Sequence, residues 1–311
     1  MIQVVSVFKH YGNHPALQDV SFVAREHEVL GLLGENGAGK TTLMNVMSGY
    51  QEPDAGTISI EGFDLFDRTY EAKRSLGYLP EIPPLYPEMT VQEYLAFCIE
   101  LKEVIKGDRE KHLVDILQLT GLKDAAKRKI ANLSHGYKQR AGLAQALCGS
   151  PKALLLDEPT NGLDPSQVKE FRELIARLKT KHIIILSSHV LSLIQSTCDR
   201  VIILHQGRLV ADRTIKATSG VMFSVTLGAS PKEAMAGLRA LPSVQRVTQH
   251  DLQGSRVTQA AVETNAPERF PLELNTFASG KQIPILSLTR EEVTLEDIYL
   301  NAIRQAGGTS L

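Results

Sequence analysis

Apolar residues in this chain come in short runs closed by Gly, Pro, Asn or Asp. Residues 4–9 and 16–24 read as strands, with Tyr11, Gly12 and Asn13 as the turn between them. Val29–Leu33 is an apolar strand, and residues 42–47 continue with helical spacing. A turn at 53–56 precedes a short strand at 57–60, and a further strand at 76–79 ends on Pro80 and Glu81. Pro83, Pro84 and Pro87 then make a stiff connection that cannot be helical. From Thr90 to about Leu147 the period is helical, with Val91, Tyr94, Leu95 and Cys98 at steps of three and four. Thr90 with Glu93 three residues on forms a capping-box pattern. Strand 153–156, helix 165–179, strand 183–187, a short helix at 189–197 and a hairpin over 201–212 follow. Strands alternating with helices predict an α/β domain with a largely parallel sheet, and the helical block reads as an insertion into it.

After about Thr218 the pattern changes to β-α-β-β-α-β, over residues 222–227, 231–241, 244–248, 256–263, 268–279 and 284–289. That order predicts a small α+β, ferredoxin-like sandwich. A helix is expected over 294–303, and residues 307–311 are expected to fray. The domains are therefore set at 1–217, with a helical subdomain at about 88–150, and 218–311.

Composition narrows the function. With 43% hydrophobic and 22% charged residues, the chain has the makeup of a globular protein with a full core. A formal net charge of -1 gives no general grip on nucleic acid or anionic lipid. Cys98, Cys148 and Cys198 are too scattered for a disulfide framework or a zinc site. No apolar run reaches the ~18–20 residues that span a bilayer, and no signal peptide is expected at the N-terminus. The expectation is a soluble, cytoplasmic protein that would serve a membrane only through a partner.

The stretch between the strand at 29–33 and the helix at 42–47 carries the chemistry. Gly34, Glu35, Asn36, Gly37, Ala38, Gly39, Lys40 and Thr41 fit G-x-x-x-x-G-K-[ST], with Thr42 opening the helix. Backbone N–H groups and the helix N-terminus suit bound phosphates. Lys40 suits the β- and γ-phosphates, and the Thr41 hydroxyl suits Mg²⁺. Asp157 and Glu158 end an apolar strand expected to lie beside the loop's own strand. Asp157 would hold Mg²⁺ and Glu158 would polarise a water as general base. Taken alone, the two acids also fit a strand capped by surface carboxylates. Asp164 precedes Pro165 as a helix N-cap, which leaves room for a role across an interface. Ser134 caps the helix that starts near His135, and with Gly136 it also offers an anion site. His189 follows a buried strand and could bond a γ-phosphate; alone, a histidine there is structural.

The phosphate loop, Leu133–Gly136, residues 154–158, Gly162–Asp164 and His189 stand in the order of the ATP-binding-cassette (ABC) transporter ATPases, which this chain resembles over about residues 2–213. It is most similar to ATPase subunits of bacterial exporters of the drug-resistance and gliding-motility type, whose membrane subunits are separate chains. Those often carry a small C-terminal domain, and residues 294–299 look like its ending. The resemblance implies that Tyr11 stacks on adenine and that Glu158, His189 and Lys40 serve hydrolysis of ATP. It implies that Ser134 and Gly136 close over the nucleotide of a second copy, and that Asp164 touches that copy's phosphate loop. The implied partners are separate transmembrane permease subunits and a second ATPase chain, with no nucleic acid. The implied place is the inner face of the cell membrane. Two positions depart from the pattern: His135 and Tyr137 replace a Gly and a Gln around Gly136, and Glu81 stands where a Gln is usual. A carboxylate at 81 can still reach Mg²⁺ but adds negative charge near the γ-phosphate. Two rivals remain at this point: a soluble ABC ATPase acting on ribosomes or DNA, and a nucleotide-gated regulator without turnover.

Overall fold

The computed structural model describes residues 1–215, 221–250, 257–292 and 295–307. The chain divides into two compact units, Met1–Ile215 with Ala302–Leu311, and Lys216–Asn301.

In the first unit, β1 (Ile2–Tyr11) and β2 (His14–Ala24) form an antiparallel hairpin. β3 (Val29–Leu33), buried at every position, runs into the phosphate loop and then α1 (Lys40–Met47). β4 (Ala55–Ile60) and β5 (Phe63–Asp64) follow, then α2 (Thr69–Arg74) and β6 (Leu76–Leu79). Three α-helices lie between β6 and the next strand: α3 (Val91–Leu101), α4 (Arg109–Leu119) and α5 (His135–Leu147). The expected capping box opens α3: Thr90 Oγ1 accepts from Glu93 N–H, and Glu93 Oε2 accepts from Thr90 N–H at 2.8 Å. The unit closes with β7 (Ala153–Asp157), α6 (Pro165–Leu178), β8 (Ile183–Ser188), α7 (Leu191–Thr197), β9 (Arg200–His205) and β10 (Arg208–Thr214).

Two sheets result. One is antiparallel in the order β2-β1-β4-β5. The other has the order β10-β9-β3-β8-β7-β6 and is parallel except for the β9–β10 hairpin. The strands of the parallel sheet are continuous Leu, Ile and Val runs because both faces are covered. Leu43, Met44 and Met47 of α1 share one core with Val4 and Leu17 of the first sheet and Leu30, Leu155 and Ile202 of the second. α5 crosses β6 at very short range. A Cβ on Gly77 would come within 1.9 Å of Ala146 O, so only glycine permits the approach.

The strand order corrects one expectation. β7, which ends in Asp157, does not lie beside β3; β8 stands between them. Ser187 pairs with Asp157 and Ser188 with Leu33, so two hydroxyl side chains separate the acids from the loop's own strand.

The second unit holds β11 (Val221–Leu227), α8 (Pro231–Arg239), β12 (Val244–His250), β13 (Thr258–Thr264), α9 (Phe270–Lys281) and β14 (Ile285–Glu292). Its sheet is antiparallel throughout, in the order β12-β13-β11-β14. The inward residues Phe223, Val225 and Leu227 alternate along β11 and pack on Leu238 of α8 and on Phe270 and Leu274 of α9. Helix α10 (Leu295–Gly307) ends the described chain. Arg256, Thr294 and the fraying expected beyond Gly307 lie outside the described residues.

Candidate functional site

The phosphate loop is shaped by glycines where side chains have no room. Gly39 has φ +104°, and a Cβ there would stand 2.6 Å from Ala16 O. A Cβ on Gly34 would meet Leu204 O at 2.5 Å, so the loop is pressed against β9 at its start. Ala38 is buried and donates its N–H to Glu35 O at 3.1 Å. No side chain caps α1, which leaves the first N–H groups of the helix open to an anion. The buried Lys40 ammonium donates to Gly34 O at 2.7 Å and Glu35 O at 3.2 Å.

A cleft of about 330 Å³ opens over the loop. Its walls include Asn36, Gly37, Gly39, Lys40, Thr41 and Thr42 from the loop and α1, and Tyr11 from the end of β1. Glu81, Glu158, Asn161 and His189 line it too, with His14 and Ala16 from β2. Tyr11 is half exposed, and its hydroxyl donates to Gln51 Oε1. The expected residues Tyr11, Lys40, Thr41, Glu81, Glu158 and His189 thus converge on one opening, although they come from distant parts of the chain.

The floor of the cleft is acidic and held by Ser187. Its Oγ donates to Asp157 Oδ1 at 2.5 Å and accepts the Glu158 N–H at 2.9 Å. Asp157 Oδ2 is buried with no hydrogen-bond partner. Burial pushes the Asp157 carboxyl above its ordinary range. Ser187 opposes this, the charges of Glu158 and Glu81 add to it, and the Thr41 hydroxyl pulls back down. A hard cation bound at Oδ2 would relieve the strain of that charge, so the oxygen donors of Asp157 and Thr41 fit one. Among the described residues, no three His, Cys, Asp or Glu side chains form a protein-only metal cage.

Glu158 has φ +45°, a left-handed backbone that is uncommon for a glutamate. The turn aims its carboxylate into the cleft. Oε1 lies 2.9 Å from His189 Nδ1 and 3.7 Å from Lys40 Nζ. Glu81 is held at both ends: Asn161 Nδ2 donates to its Oε1 at 3.1 Å, and Gln139 Nε2 of α5 donates to its carbonyl at 3.1 Å.

Ser134, Gly136 and Asp164 are not among the residues that line the cleft. They gather at the N-termini of α5 and α6. Ser134 Oγ accepts from Tyr137 N–H at 3.4 Å. Asp164 Oδ1 accepts from the Ser166 and Gln167 N–H groups, each at 3.0 Å. A Cβ on Gly136 would meet Gln167 Oε1 at 2.5 Å, and Gly162 faces the ring of His135. Both Ser134 and Asp164 are exposed.

Ser187, Asn161 and Gln139 were not singled out from the sequence. The signal for Ser187 was available: a polar pair, Ser187 and Ser188, closes a run of four aliphatic residues on a fully buried strand. A buried hydroxyl in that position needs a partner.

Comparison with known proteins finds relatives along nearly the whole chain. The family described as ABC transporter matches residues 17–161. The linearmycin resistance ATP-binding protein LnrL of Bacillus subtilis is 31% identical over 307 residues, which is 97% of each chain. The bacitracin transport ATP-binding protein BcrA of Bacillus licheniformis is 32% identical over 315 residues, covering 99% of this chain and 98% of its own. Among solved structures, an ATP-binding subunit of an ABC transporter superposes with a TM-score of 0.65 at 33% identity, over 70% of this chain and 91% of its own. With loop, acids and histidine meeting in one cleft, and relatives matched along nearly their whole length, the chain belongs to the ABC transporter ATP-binding proteins and is an ATP-binding, ATP-hydrolysing transporter subunit.

Proposed function

We propose that the cleft takes ATP with Mg²⁺, and that two copies of the chain pair head to tail to drive separate membrane permease subunits of exporter type. The observation that carries this reading is the split of the site. Lys40, Glu158 and His189 meet in the cleft, whereas Ser134 and Asp164 present a second polar surface outside it, with Gly136 buried beside Ser134. A γ-phosphate held by the first group is covered by the second only if that group comes from another molecule. Tyr11 stacks on the adenine, and the loop N–H groups with Lys40 hold the β- and γ-phosphates. Thr41, Asp157 and Glu81 supply oxygen ligands for Mg²⁺, which neutralises phosphate charge when bound.

Glu158 takes a proton from the attacking water as its oxygen bonds to the γ-phosphorus and the bond to the β-γ bridging oxygen breaks. ADP and phosphate leave. His189 holds the carboxylate through Nδ1 and keeps it aimed. Loss of the γ-phosphate then removes what joins the two copies, and the pair opens. No helix among the described residues is long and apolar enough to cross a membrane, so attachment to the inner face comes through the permease chains. The relatives' roles in linearmycin resistance and bacitracin transport favour export.

Glu158→Gln tests this. The variant should bind ATP, run as a dimer with ATP and Mg²⁺ in size-exclusion chromatography, and hydrolyse at least about 100-fold more slowly. Turnover at the wild-type rate removes Glu158 as the base. A variant that stays monomeric with saturating ATP removes the paired site.

A further inference from the structure

The charge around the cleft is unbalanced for a ligand that is itself an anion. Among the described residues that line it, Lys40 is the one Lys or Arg side chain, and it already faces Glu158 at 3.7 Å. Against it stand the carboxylates of Glu158 and Glu81, with Asp157 in the floor. Glu81 is the member with no part in the Ser187 network. Asn161 holds its carboxylate and Gln139 holds its carbonyl, which keeps the charge at the cleft. Glu81 is exposed at the mouth of the cleft, so a triphosphate entering without a cation meets its charge there, softened by solvent but added to that of Glu158.

We propose that Glu81 makes nucleotide binding conditional on a divalent cation: without one its carboxylate repels the triphosphate, and with one the added positive charge cancels that repulsion. This rests on the reading of the cleft as the nucleotide site. Glu81 then discriminates between ATP and its metal complex at the binding step, before any bond is broken. The coupling between cation and nucleotide is reciprocal, so the same residue makes cation uptake depend on nucleotide.

The test is calorimetric titration of the full chain with the non-hydrolysable β,γ-imido analogue of ATP, in excess Mg²⁺ and again in EDTA. Wild type, Glu81→Gln and Glu88→Gln are compared; Glu88 is an exposed carboxylate that does not line the cleft. Glu81→Gln keeps an acceptor for Asn161 and removes only the charge. The expected result is a large gap between the two conditions in wild type, narrowed about tenfold in Glu81→Gln through tighter binding in EDTA. Affinity in Mg²⁺ should change by less than affinity in EDTA rises, and Glu88→Gln should match wild type. An equal gap in wild type and Glu81→Gln overturns the proposal. So does a gap that narrows only because binding in Mg²⁺ weakens, which would make Glu81 a cation ligand without this gating effect. A wild-type chain that fails to bind the analogue even in Mg²⁺ overturns the nucleotide reading of the cleft, and the gate with it.

Discussion

Ser187→Ala isolates the hydroxyl that holds both acids. Its Oγ donates to Asp157 Oδ1 at 2.5 Å and accepts the Glu158 N–H at 2.9 Å, and the residue is fully buried. The first bond engages a carboxylate, worth about 1.5–3 kcal/mol, and the second is a neutral bond worth about 0.5–1.5 kcal/mol. Alanine leaves both partners buried without replacements, so the loss should be about 3 kcal/mol. For a unit of this size that lowers the melting temperature by about 6–12 °C, measurable by circular dichroism on nucleotide-free protein in EDTA. The deficit also has a pH dependence with a fixed sign. The Asp157 carboxyl titrates above its unfolded range. In the window between the two values the folded chain binds more protons, and stability falls as pH rises through it. Ser187 is one of the groups that pull this carboxyl down, so alanine pushes it higher and widens the window. The deficit should therefore be larger at about pH 8 than at about pH 4. A loss under about 1 kcal/mol, or an equal loss at both pH values, would refute the assignment of Ser187 as the clamp of the acidic floor.

Gly77→Ala should destabilise the first unit by about 3 kcal/mol or prevent its folding, because the new methyl would stand 1.9 Å from Ala146 O and backbone must separate; urea unfolding reads this, and a loss within about 0.5 kcal/mol would mean that α5 sits further from β6. Arg200→Met removes a buried cation whose Nε and Nη2 each bond Asp212 at 2.6 Å and whose Nη1 lies 3.3 Å from Glu28. It should cost about 3 kcal/mol, the low end for a broken buried pair because Asp212 is partly exposed. Adding Asp212→Asn should restore part of that loss, and a double variant as unstable as the sum of the single ones would deny the pairing.

Much of the site was legible because each of its signals is local. The phosphate loop needs glycine at Gly34 and Gly39, where backbone and neighbours leave no room for a Cβ. The acids and His189 stand at the ends of buried apolar strands, and parallel strands bring such ends to one edge of the sheet. Strand order was not legible. β8 separates β3 from β7 through crossover connections that leave no mark on either strand's own pattern. The short elements α2 and β5 escaped for a different reason: six residues and two residues are too few to display a period. Asn161 read as one polar residue in a polar turn, and its grip on Glu81 depends on segments 80 positions apart in sequence.

The left-handed backbone at Glu158 has a consequence for what can replace it. A glutamate held at φ +45° stores about 1–2 kcal/mol of conformational strain that glycine would release. Glycine there would release the strain but would leave the buried Lys40 ammonium without the carboxylate that faces it at 3.7 Å, and it would erase the proposed base. The strained backbone is thus held in place by the charge it serves: the side chain that strains the turn is also the one that faces the lysine of the phosphate loop.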